Sequence, residues 1–479
     1  MCITPASSFA QTAGGGSASI PLIEDPNKFS ILGLPALLPG FFYDFTKLSP
    51  RDEAGTLEYV FAGHLDRYGR DRICPHCHAM MHVKSKKPML LRHVPIGGWH
   101  SFIQVEVVQF ECPQCGKTHV QDIPFKALQH RMTKELLLYI VDLLSIHKCT
   151  HTHISFMTGL SKNAIKDIDY ERLKGLYTTD GTTLKKPATI SRYLAIDEFK
   201  LHNGHKYATH IIDLETGRIL YVARGKKKQV VYDFIDHVGL DWMNNIEAIA
   251  CDMNSDFQEA FQEKCPHVKI VFDHFHIVNN LNKYIILIRI AEQKRLINEG
   301  REEEASALKG MKYILLSSRD TLKSKDGSVA KSNDSDSNET PEKIYDKLIN
   351  QNKLLMTCDF VKEALKRAFS TFTREEMKGE LEWIIELCKE SEDKYLTRFA
   401  NLIQNHMDGI LSHTEYHMTS GKIEGINNKI KTIRRMHYGI PEDNYFFLML
   451  LDINRKSYPK HPLFRINGRM VFGLDGQAA

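Results

Sequence analysis

Apolar and polar positions change rhythm several times along the chain, and each change marks a different kind of element. The run SFIQVEVVQFEC, from Ser101, is strand-like. From Thr133 to His147, Leu136, Leu137, Ile140, Val141 and Leu144 recur at helical spacing and form one stripe. A short helix around Ile154-Ser155-Phe156-Met157 follows, then a break at Gly159-Leu160-Ser161, then the helical run KNAIKDIDYERLK. Between Arg192 and Ile277 strands and helices alternate. RYLAIDEFKL is a strand, and ATHIIDLETGRILYVAR a hairpin turning near Glu215-Thr216-Gly217. QVVYDFIDHV is an amphipathic helix, IEAIACDM a buried strand, SDFQEAFQEKC a helix and VKIVFDHFHI a strand. The order β-β-β-α-β-α-β predicts a mixed α/β sheet. From about 279 to 404 the chain is helical and charged, and after Ser420 a basic helical segment leads into the apolar helix NYFFLMLLDIN.

Three stretches stand outside this pattern. Residues 1 to about 28, rich in Ser, Ala, Gly and Thr, read as a flexible tail, and KSKDGSVAKSNDSDSNETPEK, from Lys323, as a mobile loop. FSILGLPALLPGFFYDF, from Phe29, is apolar but broken by Pro35 and Pro39 and too short to span a bilayer. With 479 residues, two to four domains are expected. A 42% hydrophobic, 25% charged composition with neither a membrane span nor a signal-like core points to a cytoplasmic protein without a membrane partner. The net charge of +4 is too small to identify a nucleic-acid partner, so clustering must carry that argument.

Of ten cysteines, four form two pairs, Cys74-Pro75-His76-Cys77 and Cys112-Pro113-Gln114-Cys115. Each C-x-x-C closes a tight turn that aims two thiolates at one point, and four thiolates at about 2.3 Å suit one structural, tetrahedral Zn²⁺. A redox role is the alternative reading of each pair alone. His76, His78 and His119 are read as surface or DNA-facing side chains rather than ligands.

The helix-break-helix after Thr133, with a glycine in its turn and a serine capping the next helix, has the layout of a helix-turn-helix. It would present Lys162, Asn163 and Lys166 to base edges and phosphates in a DNA major groove. A plain three-helix packing unit satisfies the same spacing.

Three acids stand out by position. Asp197 lies in the strand LAIDE, Asp252 ends the strand AIACDM, and Glu424 lies on the helix SGKIEG. A carboxylate at the end of a buried run is costly unless it is paired or bound to a cation. Phosphodiester chemistry on two Mg²⁺ (or Mn²⁺) ions uses such hard oxygen ligands from separate elements. Taken singly, each acid reads equally as a solvated strand-end or helix-face residue. Asn427, Asn428, Lys429, Lys431, Arg434 and Arg435 follow Glu424, as the backbone of double-stranded DNA beside a metal site would require.

These residues carry a family resemblance. Over roughly residues 64 to 455 the chain resembles the ISL-three family of bacterial insertion-sequence transposases, in Cys74-x-x-Cys77 with Cys112-x-x-Cys115, Ile196-Asp197-Glu198, Asp252-Met253, Phe272-Asp273-His274-Phe275-His276 and Gly421-Lys422-Ile423-Glu424-Gly425-Ile426-Asn427-Asn428-Lys429. The resemblance implies a ribonuclease-H-like fold with Asp197, Asp252 and Glu424 as an Asp-Asp-Glu triad. It also implies a D-x-x-H motif of Asp273 and His276, and a helical insertion ahead of Glu424. Trp383, in that insertion, reads as an ordinary core residue in preference to a base-stacking one.

The expected architecture is therefore multidomain. It comprises a flexible N-terminal region (1–63), a zinc ribbon (64–128), an all-α helix-turn-helix (129–178), a ribonuclease-H-like α/β catalytic domain in two parts (190–278 and 408–455), an α-helical insertion between them (279–407) and a C-terminal tail (456–479). The expected activity is binding of terminal inverted repeats followed by metal-dependent hydrolysis and strand transfer into target DNA, with a homodimer or larger assembly in the synaptic complex. A transposase-derived, non-catalytic DNA-binding protein and a nuclease without strand transfer are the competing readings.

Overall fold

The computed structural model describes residues 38, 40–44, 49–53, 56–65, 70–96, 98–204, 206–253, 255–324, 340–416, 418, 421–436, 442–456, 460, 465–466 and 469–470. The expected tail over residues 1–28 and most of the expected loop at 323–343 lie outside these residues, as does most of the C-terminal tail. The chain divides into two units, Met1–Asp169 with Ser457–Ala479, and Tyr170–Lys456.

The first unit is built on a six-stranded sheet. Strands β1 (Phe41–Tyr43), β2 (Ser49–Glu53) and β3 (Thr56–Leu65) precede a long hairpin of β4 (His82–Ile96) and β5 (Trp99–Glu111), with β6 (Thr118–Val120) paired to β5. β3 runs parallel to β5, Glu58 opposite His100 through His64 opposite Glu106. The expectation of a flexible region up to residue 63 therefore does not hold for β1–β3. Phe41, Phe61 and Leu65 are buried with Leu91, Ile103, Val105 and Phe125, and this apolar surface secures the early strands. The expected ribbon begins only at residue 64, because parallel pairing of β3 with β5 leaves no hairpin turn between them in the sequence.

Helices α1 (Lys134–Ser145), α2 (His151–Thr158) and α3 (Lys162–Tyr177) follow. Each begins at a hydroxyl cap: Thr133 accepts from the Leu136 N–H, Thr150 from that of His153, and Ser161 from that of Ala164. Gly159 ends α2 at φ +68°, a left-handed conformation that a side chain rarely adopts. In the first unit Leu136, Ile140, Leu143, Ile154, Ile165 and Ile168 share one core.

In the second unit, β7 (Tyr193–His202), β8 (Lys206–Asp213) and β9 (Ile219–Arg224) form an antiparallel meander. α4 (Lys228–Val238) and α5 (Leu240–Met243) lead to β10 (Ala248–Cys251), and α6 (Ser255–Lys264) to β11 (Lys269–Phe272). The sheet order is β11-β10-β7-β8-β9, with β10 parallel to both β7 and β11. Leu194, Ile196, Ile249 and Cys251 point to one face with Phe234 of α4 and Phe257 of α6. Ala195, Ala208, Ala250 and Val271 point to the other.

The 25-residue helix α7 (His274–Asn298) then opens a helical region of α8 (Glu302–Ala307), α9 (Lys312–Leu316), α10 (Arg319–Ser324), α11 (Pro341–Gln351), α12 (Lys353–Ala368), α13 (Arg374–Glu390), α14 (Lys394–Asn405), α15 (Met407–Leu411) and α16 (His413–Tyr416). Its buried residues run on from the α4–α6 face of the sheet in one cluster. The closing helices α17 (Gly421–Met436) and α18 (Asp443–Asp452) cover the other face through Ile423, Ile426, Ile430, Tyr445 and Leu450. Asp452, fully buried near the end of α18, accepts from Arg172 Nη1 (2.8 Å), Tyr177 Oη (2.6 Å) and Arg455 Nε (2.8 Å). Among the described residues no helix is long and apolar enough to cross a membrane.

Candidate active site and metal centre

β10 and β7 are parallel neighbours with Ala195 opposite Ala250. Two residues further on, Asp197 of β7 turns toward the face covered by α17, while Asp252 follows the last residue of β10 at the same end of the sheet. The Asp197 carboxylate is held at both oxygens. Oδ1 accepts from the Glu198 backbone N–H (2.7 Å), and Oδ2 from Asn427 Nδ2 of α17 (2.6 Å). Directly across the sheet stands His210 of β8, in register with Asp197. His210 is fully buried, with neither ring nitrogen hydrogen-bonded among the described residues; burial pushes its pKa down to about 4, against the pull of Asp197.

Asp252 sits just past the end of β10, where Oδ1 accepts from the Met253 N–H and lies 3.2 Å from His276 Nδ1. The other ring nitrogen of His276 is 3.7 Å from Asp273 Oδ2. The strand expected through VKIVFDHFHI stops at Phe272. Asp273 instead caps α7 by accepting from the Phe275 N–H, and this brings His276 back over it after one turn. A cap residue followed by a polar turn competes with strand continuation, and the local hydrogen bond prevails.

Glu198, on the opposite face from Asp197, has its carboxyl raised above the ordinary range by burial, with Asp197 and Asp252 adding to the rise and Lys226 opposing it. Lys226 Nζ is 3.9 Å from Glu198 Oε1, while Oε2 is buried without a hydrogen-bond partner among the described residues.

Glu424 is exposed on the first turn of α17, three residues before Asn427 and so on the same side of the helix. Asp197, Asp252 and Glu424 are not drawn within ligating distance of one another. Among the described residues the only group of three or more candidate ligands whose donor atoms lie within 4.8 Å is the cysteine cluster. Bare carboxylates repel one another at close range. The donor chemistry fits a cation: hard carboxylate oxygens at the ends of adjacent strands.

The basic residues after Glu424 divide. Lys429 bonds Asn454 Oδ1 (2.6 Å) and Arg434 the Lys200 carbonyl (2.6 Å), anchoring α17, whereas Asn428, Lys431 and Arg435 are exposed. On α3, Lys162 and Asn163 are exposed and Lys166 half-buried. Trp383 is 42% exposed, beneath the Arg367 guanidinium, so the core reading fails. The buried positions of α13 are Met377, Leu381, Ile384 and Cys388, and Trp383 falls beside that stripe. The sequence reads Asn427 only as one of the amide and basic groups suited to a DNA backbone, and its bond to Asp197 is a feature the sequence does not show. Asn427 lay within the recognised motif, but only the fold shows which of the two successive asparagines faces Asp197.

In the first unit Cys74, Cys77, Cys112 and Cys115 converge, with Cys74 and Cys115 sulfurs 3.6 Å apart and Cys77 and Cys112 sulfurs 3.4 Å apart. Tetrahedral zinc with bonds of about 2.3 Å separates its sulfurs by about 3.8 Å, so the cluster fits the ion. Both knuckles are built alike. The Cys74 carbonyl accepts from the His78 N–H and the Cys112 carbonyl from that of Gly116, with His78 at φ +57° and Gly116 at φ +68°. Backbone N–H groups of Cys77 and His76 hold the Cys74 thiol down to about 6. His76, His78 and His119 are not part of the cluster.

The chain is similar to known proteins. A family model described as transposase, that of the ISL-three group, matches residues 194–450. The transposase for insertion sequence element IS1001 of Bordetella parapertussis is 25% identical over 414 residues, 86% of this chain and 93% of the relative. The transposase for insertion sequence element IS1557 of Mycobacterium tuberculosis is 24% identical over 271 residues, 52% of this chain and 56% of the relative.

Proposed function

The chain belongs to the ISL-three family of transposases, and we propose that it binds the inverted repeats of its element and transfers their ends by Asp-Asp-Glu chemistry on a ribonuclease-H-like sheet. The sheet order, three antiparallel strands followed by two parallel ones on the far side of the first, supports that fold assignment. The observation that carries the mechanism is that Asp197 and Asp252 stand at the same end of two adjacent parallel strands, with Asp197 bonded to Asn427 of the helix that bears Glu424.

In this reading Asp197, Asp252 and Glu424 hold two Mg²⁺ ions. Bound there, the metal pair supplies an activated oxygen nucleophile and stabilises the leaving oxygen of the phosphodiester. The protein's own part is orientation. Asn427 and the Glu198 N–H fix the Asp197 carboxylate, and His276 fixes that of Asp252. α17 carries Glu424 on a mobile-length side chain at the exposed edge, where a DNA strand has access. Asn428, Lys431 and Arg435 line the same helix for phosphate contact. The helices between Asp273 and α17 form the insertion, and α1–α3 with the cysteine ribbon serve end recognition, the zinc being structural. Double-stranded end and target DNA are the partners, held by two or more copies of the chain.

The test uses the terminal repeats of this element as oligonucleotides. Wild type should bind, nick and join them with Mg²⁺, while Asp197→Asn and Asp252→Asn bind but do neither. Binding without cleavage by wild type itself would identify a transposase-derived binding protein, and cleavage without joining a nuclease.

A further inference from the structure

We propose that Asn427 is a positioning residue that presets the Asp197 carboxylate for the metal and fixes the depth at which Glu424 meets it. The proposal rests on the assignment of Asp197 as a metal ligand. Three features of the structure carry it.

The first is the pair of bonds on Asp197. With Oδ1 on the Glu198 N–H at 2.7 Å and Oδ2 on Asn427 Nδ2 at 2.6 Å, neither torsion of the side chain is free, and the carboxylate is held in one orientation. The orientation of the amide follows from charge alone, since its NH₂ and not its oxygen must face a carboxylate.

The second is that both donors are neutral. A lysine or arginine at the same place would hold Asp197 as firmly but would cancel the charge that attracts a divalent ion. His210, opposite Asp197 on β8, makes no hydrogen bond among the described residues and is fully buried. Asp197 is thus held without being neutralised.

The third is the seating of the amide. Ile423, Ile426 and Ile430 lock α17 onto the sheet, and Asn427 Oδ1 is buried without a donor among the described residues. An acceptor left so is costly, and no packing benefit of an amide over an apolar side chain offsets that cost. The polar group is explained by what its nitrogen does. Because Glu424 lies one turn before Asn427, the Asn427–Asp197 bond sets the axial position of Glu424 relative to Asp197.

The test compares full-length wild type, Asn427→Ala and Asp197→Asn on the end oligonucleotide. Mn²⁺ binding is measured without DNA from the free-ion paramagnetic resonance signal. Asn427→Ala should weaken Mn²⁺ binding roughly ten- to a hundredfold, raise the half-saturating Mg²⁺ for cleavage in parallel, and leave end binding unchanged. Wild-type metal binding in Asn427→Ala, or a slower reaction with unaltered metal dependence, overturns the proposal. If Asn427→Ala does not fold, Asn427→Ser decides by the same two measurements. Should Asp197→Asn itself keep wild-type Mn²⁺ binding and cleavage, the metal-ligand assignment fails, whatever the result at 427.

Discussion

His276 bridges two acids: its Nδ1 lies 3.2 Å from Asp252 Oδ1 and its Nε2 3.7 Å from Asp273 Oδ2. The ring sits one turn into α7, and Asp273 caps that helix, so the contact is fixed by the helix start rather than by a loop. Replacing His276 by Ala should release Asp252 and slow cleavage by roughly ten- to a hundredfold with end binding intact. His276→Asn, which keeps a donor near the Nδ1 position, should recover part of the rate. Equal rates for wild type and His276→Ala in a single-turnover cleavage assay would exclude this role.

The two glutamates should separate. Glu424→Gln keeps the shape of the side chain and removes a charge from the metal site, and it should abolish both cleavage and joining. Glu198 lies on the other sheet face, beside Lys226, so Glu198→Gln should cost only part of the rate. Denaturing gels of the nicked and joined products resolve the two. The reverse order would make Glu198 the third acid.

Zinc should be present at about one ion per chain and should hold the ribbon. Cys74→Ser or Cys112→Ser should lower the zinc content and lose end binding, while Cys265→Ser, outside the cluster, should retain both. Elemental analysis with a mobility-shift assay checks this. A metal-free protein with full end binding would contradict it.

Acid should destabilise the second unit through His210. Its folded pKa of about 4 lies below the ordinary 6.5, so the unfolded chain takes up a proton first. The stabilising contribution is complete above pH 6.5 and is lost as pH falls from there toward 4. Between about pH 7.5 and pH 5 the loss amounts to about 2 kcal/mol from this group. His210→Phe should flatten that limb, as read from urea midpoints at the two pH values. Parallel pH profiles for wild type and variant would show that His210 does not carry it.

Lys162, Asn163 and Lys166 should contribute to reading the ends. Changing all three to Ala should weaken binding, and each lost phosphate contact should reduce the slope of log K against log salt by about 1. Unchanged binding isotherms across a salt series would move the recognition surface elsewhere.

Local chemistry was legible in the residues alone. The paired C-x-x-C turns, the hydroxyl cap at Ser161 and the β-β-β-α-β-α-β order are short-range patterns, and periodicity and turn chemistry act within a few residues of chain. The same holds for the positions of Asp197 and Asp252 at the ends of apolar runs. Other features depended on tertiary structure, because they arise between segments far apart in sequence. β3 joins the first sheet by parallel pairing with β5, which leaves no turn signature. Trp383 is exposed because the buried stripe of α13 passes beside it. Asn427 and Asn428 are indistinguishable as sequence, and only the packing of Ile423, Ile426 and Ile430 turns the first toward Asp197 and the second to solvent. Sequence determined which groups have the chemistry to bind metal. The pairing register of β7 with β10 and the seating of α17 decided which of them meet, since a carboxylate's partner is set by the three-dimensional path of the chain and not by its neighbours along it.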